Sequence, residues 1–318
     1  MKLRIGSRGS QLALWQANHI AALLRVQGHE VEIEIIKTTG DRLQEVTFAQ
    51  VGSKGMFTKE IEEALADGRI DLAVHSLKDL PTELPEPFAL AATPVRVDPR
   101  DAFVSVNYAN LAALQRGAKV GTSSQRRRAQ LKGLRSDLVL VEFRGNVDTR
   151  LRKLAEGQVE AILLAAAGLD RLGKTDWIRQ RLDPKEFCPA AGQGALGIEA
   201  RKDDGATIEA LLFLDHADTR FAVTAERAAL AALGGGCQVP IGIHCRREYV
   251  EGGAGTGWNE IYGVVASPDT GEVVRVDLHA PHENTDPTTF GHMAATMLLE
   301  NGADRLLAAN GEAAGGAA

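Results

Sequence analysis

Short apolar or alternating runs, separated by stretches with apolar positions three or four apart, set the rhythm of the first two thirds of the chain. Lys2 to Gly6 reads as a strand. Ser10 to Gln27 reads as a helix carrying Leu12, Trp15, His19, Ala22, Leu23 and Val26 on one face, with Gly28 as its stop. Val31 to Lys37 alternates, with Val31, Ile33 and Ile35 to one side. A second helix over Phe57 to Asp67 ends at Gly68 and precedes the apolar strand Ile70 to Val74. Strands separated by helices predict a largely parallel α/β sheet.

The rhythm resumes after the stretch Pro94 to Pro99, with strands over Ala102 to Val106, at Val120, and over Leu138 to Val141 and Ala161 to Ala165. From about Thr219 it changes. An alanine-rich helix ends at Gly234-Gly235-Gly236, and the alternating segments Val239 to His244, Ile261 to Ala266 and Val273 to His279 lead to a last helix, which predicts a small α+β domain. Asn310 to Ala318 is small and polar enough to be a disordered tail. At 318 residues the chain favours two or three domains over one core.

Composition adds exclusions. With 44% hydrophobic and 25% charged residues the chain is neither wholly disordered nor fibrous. No apolar run is long enough to span a membrane, and Met1 to Gly6 lacks a signal-peptide core, so the expected location is cytoplasmic. Cys188, Cys237 and Cys245 form neither a disulfide framework nor a metal-ligand spacing, so no metal is expected.

The formal charge of -6 argues against a general polyanion binder, and the 5% aromatic content offers little for stacking on bases. Yet Gly121 to Arg152 holds eight basic residues against three acidic ones, a net of +5 that leaves -11 for the remainder. A basic island in an acidic protein suggests a selective anion site. Gly121-Thr122-Ser123-Ser124, followed by Arg126 and Arg127, fits either a capped helix with a solvated face or a helix N-terminus that collects anions. Arg144-Gly145-Asn146, with Arg150 further on, repeats the arrangement, and two such loops favour carboxylate or phosphate recognition.

His75-Ser76-Leu77-Lys78-Asp79 follows a strand at the carboxyl edge, where open α/β sheets place ligands. Ser76 and Lys78 suit an anion, and Asp79 suits an acid, a base or a counter-ion; a helix cap before the Pro81 turn is the plain alternative. His75 alone reads as a packed or hydrogen-bonded residue. Gly234 to Pro240 brings Cys237 out on a glycine turn, which suits a nucleophile or a simple turn residue. Cys245 fits a core strand and Cys188 a linker.

Taken together these segments resemble the porphobilinogen deaminases, also called hydroxymethylbilane synthases. The resemblance runs from Ile5 to about Asn301. It rests on Gly6 to Gln16, Val51 to Phe57, Ala73 to Asp79, Asp98 to Ala102, Gly121 to Ser124, Arg144 to Val147, Pro189 to Gly194 and Gly235 to Pro240. Gln125 and Leu77 depart from the family pattern, an aliphatic residue being usual at the first and methionine frequent at the second.

The resemblance implies an α/β fold: two periplasmic-binding-protein-like domains with mixed, mostly parallel sheets around a cleft, plus a small α+β C-terminal domain. Domain 1 spans 1–95 and 194–216, domain 2 spans 96–193, and domain 3, with the tail, spans 217–318. It implies a monomeric transferase of tetrapyrrole biosynthesis. Four porphobilinogen molecules are condensed head to tail onto a dipyrromethane primer with loss of ammonia, then released as 1-hydroxymethylbilane.

It further implies a thioether from that cofactor to Cys237 and a catalytic Asp79 that stabilises the cationic pyrrole. Cofactor contacts are implied for Ser10, Lys78, Asp79, Thr122, Ser123, Ser124, Arg126, Arg127, Arg144 and Gly145. Substrate and polypyrrole intermediates fall to Arg8, Ser76, Arg144, Arg150, Arg171 and Gln193. Leu43 to Phe57 suits a mobile lid or an ordinary connecting loop. Two other readings are a non-catalytic binder of carboxylates or phosphates, which leaves Cys237 unexplained, and a nucleic-acid module, which the charge disfavours.

Overall fold

The computed structural model describes residues 1–39, 58–235, 239–249 and 257–315; Cys237 and the segment expected to form a lid lie outside the described residues. The chain divides into two compact units. Unit 1 comprises Met1–Val97, Arg171–Gly173 and Gly194–Arg220; unit 2 comprises Asp98–Asp170, Lys174–Gln193 and Phe221–Ala318.

Four strands open unit 1: β1 (Lys2–Ser7), β2 (Glu30–Ile35), β3 (Leu72–Ser76) and β4 (Phe88–Ala92). The chain then builds β5 (Asp101–Val104), β6 (Lys119–Gly121), β7 (Val139–Val141), β8 (Ala161–Ala165) and β9 (Ile178–Arg181) in unit 2, and returns with β10 (Leu196–Arg201) to unit 1. The first sheet has the order β2-β1-β3-β10-β4, with β1 parallel to β2 and β3 and β10 antiparallel to both its neighbours. The second repeats the plan as β7-β6-β8-β5-β9, where β6 runs parallel to β7 and β8 while β5 opposes β8 and β9. Each α/β sheet is thus mixed and carries one antiparallel strand between its third and last.

The Gln11–Val26 helix, α1, is capped by Ser10, whose hydroxyl accepts the Ala13 N–H. Its buried face is Gln16, Ala17, Ile20, Ala21 and Leu24, which corrects the predicted face: Trp15 and His19 are exposed and Val26 is 82% exposed. The physical reason is that Gln16 is satisfied inside by Ser76, and two alanines let the helix lie close to the sheet. Full burial of Ile20 and Leu24 contributes about 1.5–3 kcal/mol each. A second correction falls on β2, where Ile35 is exposed and Ile36 points inward after the strand ends.

Along β3 alternate residues serve two cores. Leu72 and Val74 join the α1 side, and Ala73 joins Ile61, Ala64 and Leu65 of the Lys59–Ala66 helix. This double coverage explains why the strand is apolar throughout.

The rest of unit 2 is an antiparallel meander, β11 (Ile241–Tyr249), β12 (Gly257–Ala266) and β13 (Val273–Pro281), packed with the helices Ala217–Ala232 and Pro287–Leu298. Cys245 lies in this core, as expected. Cys188 is also buried rather than a loose linker residue: its N–H donates to Gln130, its carbonyl accepts from Arg126, and its thiol donates to the Tyr262 carbonyl. The final helix, Asp304–Gly315, continues past Asn310, where a disordered tail was expected to begin.

Candidate functional site

In unit 1 the parallel pairing of β1 with β3 brings their carboxyl ends to one edge. Arg8 and Ser10 follow β1, while Ser76, Lys78 and Asp79 follow from β3. A 3-10 turn, Leu77–Asp79, holds this segment: the Leu77 N–H donates to the Ala195 carbonyl, and that of Leu80 closes the turn on Leu77. Leu77 and Leu80 pack on Gly197, where a Cβ would lie 2.8 Å from Leu77, so buried Leu77 anchors the turn and leaves Asp79 exposed. Gln16 donates to the Ser76 hydroxyl at 2.7 Å, tying α1 to the same edge.

Arg171 is buried in this unit. Its Nη2 donates to the Gly194 carbonyl at 2.8 Å, and the guanidinium lies 5.9 Å from the Trp15 ring, which explains the exposed tryptophan on α1.

In unit 2 the corresponding edge belongs to β6 and β7. Thr122 is buried after β6 and accepts the Ser124 N–H; Ser124 caps the Gln125–Leu134 helix through the Arg127 N–H; Ser123 accepts from the Phe143 N–H. Asn146 caps the Val147–Ala155 helix. Gly145 has φ +125, and a Cβ there would lie 2.8 Å from the Thr149 side chain, so both conformation and space require glycine. Gln125 is exposed, so its departure from the family pattern disturbs no core. Arg128 reaches the Leu140 carbonyl.

Arg126 and Arg127 do not project freely. Both are buried against Asp101, at 2.7 Å each; Arg127 commits Nε and Nη2 to that carboxylate and Nη1 to the Leu163 carbonyl. Gln193 donates to Pro99 and to Asp101, joining the same network. Burial opposes the charge of Asp101, but the two guanidiniums prevail and hold its carboxyl far below the usual range. Two guanidiniums against one carboxylate leave a net positive charge, so the pair lends field to the edge, with Arg126 bonded through Nη1 and Arg127 through all three of its nitrogens.

Arg150 is different. Burial and the nearby charges of Arg127 and Arg144 pull it down to about 10, and its Nε is buried without a partner among the described residues. An under-satisfied cation beside Arg144, itself bonded to Glu142 at 2.6 Å, is what a site for a polycarboxylate requires. These residues therefore fit a group bearing several carboxylates.

Sequence reasoning named the motif containing Asp101 without giving the residue a role, and it passed over Glu199 and Glu226. Glu226 accepts the Gly192 and Cys245 N–H groups inside unit 2. The signal for Asp101 was available: an adjacent arginine pair needs a buried carboxylate once its helix packs on a sheet. Among the described residues no group of three or more His, Cys, Asp or Glu side chains forms a metal-binding cluster.

The geometry defines a class: a two-unit α/β protein in which each unit places cations and hydroxyls at the carboxyl ends of parallel strands, unit 1 adding the exposed carboxylate of Asp79. Comparison narrows it. Residues 3–209 match the family "Porphobilinogen deaminase, dipyromethane cofactor binding domain", and residues 220–300 match "Porphobilinogen deaminase, C-terminal domain". The porphobilinogen deaminase of Trichlorobacter lovleyi is 52% identical over 98% of this chain and 95% of its own length. That of Geobacter sulfurreducens is 50% identical over 96% and 94%. Among solved structures, the methionine-binding protein MetQ is 13% identical, with a TM-score of 0.45 over 71% of this chain and 94% of that one.

The chain belongs to the porphobilinogen deaminase family. Its activity is that of a hydroxymethylbilane synthase, a transferase of tetrapyrrole biosynthesis that takes porphobilinogen and works with a dipyrromethane cofactor.

Proposed function

We propose that Asp79 is the catalytic carboxylate of this reaction and that Cys237 carries the dipyrromethane through a thioether. The observation supporting the first assignment is an exposed carboxylate on a buried, hydrogen-bonded turn, at the edge that also bears Arg8 and Lys78. When bound, the cofactor supplies the terminal pyrrole to which the first substrate ring is joined. Ser10, Lys78, Thr122, Ser123, Ser124, Arg126, Arg127, Arg144 and Gly145 hold it; Arg8, Ser76, Arg144, Arg150, Arg171 and Gln193 serve the substrate. Arg126, Arg127 and Gln193 act through the field and shape of the Asp101 network.

Loss of ammonia from porphobilinogen breaks a C–N bond and leaves positive charge spread onto the ring nitrogen. A fixed carboxylate stabilises that charge where it develops and then accepts the proton shed by the newly joined carbon. Turning the carboxylate into an amide removes the charge and keeps the shape. Asp79→Asn therefore retains fold and cofactor while turnover falls by about 100-fold or more; near-normal turnover in that variant refutes the assignment.

The three separate sheets support a division into domain 1 (1–95 and 194–216), domain 2 (96–193) and domain 3 (217–318). In this reading the protein is a cytoplasmic monomer without metal, nucleic-acid or membrane partners. No described helix is long and apolar enough to cross a membrane. Light scattering of the holoenzyme checks the assembly state.

A further inference from the structure

Behind the Asp79 turn lies a buried acid–base cluster to which the reaction assigns no role. His75, on β3, bonds through Nε2 to Oε2 of Glu199, on β10, at 2.9 Å; Glu199 is fully buried and its Oε1 has no partner among the described residues. The two strands are antiparallel neighbours with His75 opposite Gly197 and Ala73 opposite Glu199, so the pair bridges diagonally across one sheet face. The same stretch of β10 and its lead-in carries the turn: the Ala195 carbonyl accepts the Leu77 N–H, and Gly197 receives Leu77 and Leu80.

We propose that His75 and Glu199 are positioning residues whose buried hydrogen-bonded pair locks β10 against β3 and thereby fixes the turn that presents Asp79. A buried carboxylate is costly unless a partner faces it, and the His75 ring is that partner. The Lys59–Ala66 helix brings a second carboxylate, Glu62, whose carboxyl is pushed up by burial and further by Glu199, while the Thr58 hydroxyl and His75 pull the other way. Arg201, two residues beyond Glu199, is committed to Asp204 and to the Leu65 and Ile70 carbonyls. Removing either partner strands the other inside the sheet face, and the grip on the turn then loosens.

The inference rests on Asp79 as the catalytic carboxylate. In cofactor-loaded Glu199→Gln, kcat for porphobilinogen is expected to fall about 10- to 100-fold with KM within about twofold, as for misplaced reacting groups. An unchanged kcat overturns the proposal. Should that variant fail to fold, His75→Ala decides: it loses the same bond, so kcat falls with KM little changed, and His75→Gln, which keeps a donor, restores part of the loss; an unchanged kcat in His75→Ala overturns the proposal. Asp79→Asn separates the two assignments. An active Asp79→Asn enzyme refutes the role of Asp79 alone, while hydrogen exchange at the Leu77 amide in wild-type and Glu199→Gln holoenzyme still judges the pair: faster exchange in the variant is expected, and equal exchange overturns the proposal.

Discussion

Replacing Asp101 with asparagine leaves two buried guanidiniums facing a neutral amide. Arg126 and Arg127 each lose a 2.7 Å ion pair, and Arg127, with every nitrogen already committed, has nowhere to turn. Removing one partner of a buried pair costs about 3–5 kcal/mol, because the stranded charge keeps its desolvation penalty. Against a total stability of about 5–15 kcal/mol this is a large fraction. For unit 2, of roughly 190 residues, it corresponds to a fall in Tm of about 6–20 °C.

The pH dependence follows with a definite sign. Asp101 titrates far below its unfolded value of about 3.9, so its contribution is complete above that value and is lost as pH falls through the folded one. Thermal unfolding of the holoenzyme at pH 7 and pH 3, the second below the unfolded value and above the folded one, followed by circular dichroism, reads both effects. Asp101→Asn should unfold earlier at pH 7 and lose less on acidification than wild type does. Adding Arg126→Met to Asp101→Asn should restore part of the loss, since one stranded charge goes. A Tm within 2 °C of wild type in Asp101→Asn, with no coupling to Arg126→Met, would refute the reasoning.

Two further outcomes follow from burial and charge. Arg150→Gln should raise KM for porphobilinogen by about tenfold or more, one lost charge-assisted bond being worth about 1.5–3 kcal/mol, with kcat changed less; steady-state kinetics on the holoenzyme check it. In the native holoenzyme no thiol should react with Ellman's reagent. Burial pushes the Cys188 thiol up to about 12, Cys245 is equally enclosed, and a thioether blocks Cys237, so two thiols should appear only on denaturation.

Caps and strand ends were the legible part of the site, because their chemistry is local. Ser10 and Ser124 sit one residue before a helix and do what their hydroxyls suggest, whereas the need for glycine at 145 comes from its positive φ and from Thr149 one turn on, which only the folded loop shows. Periodicity failed on α1. A buried glutamine and alanines carry a weak apolar signal, while Trp15 and Val26, strongly apolar, face outward. The β10 strand left no mark among the predicted elements, for its pairing with β3 joins residues more than a hundred positions apart. The same distance hid the partners that decide what the charged groups do: Asp101 under Arg126 and Arg127, and Glu199 under His75. A sequence shows which groups carry charge; packing decides which of them remain free to meet a ligand.

The mass of the denatured, purified chain, with peptide mapping, bears most directly on the primer that the whole reaction scheme requires. An excess equal to two linked pyrroles, located on Cys237 and absent from an inactive Cys237→Ser variant, is the predicted result. A chain unmodified at Cys237 that still forms hydroxymethylbilane at the full rate would contradict it.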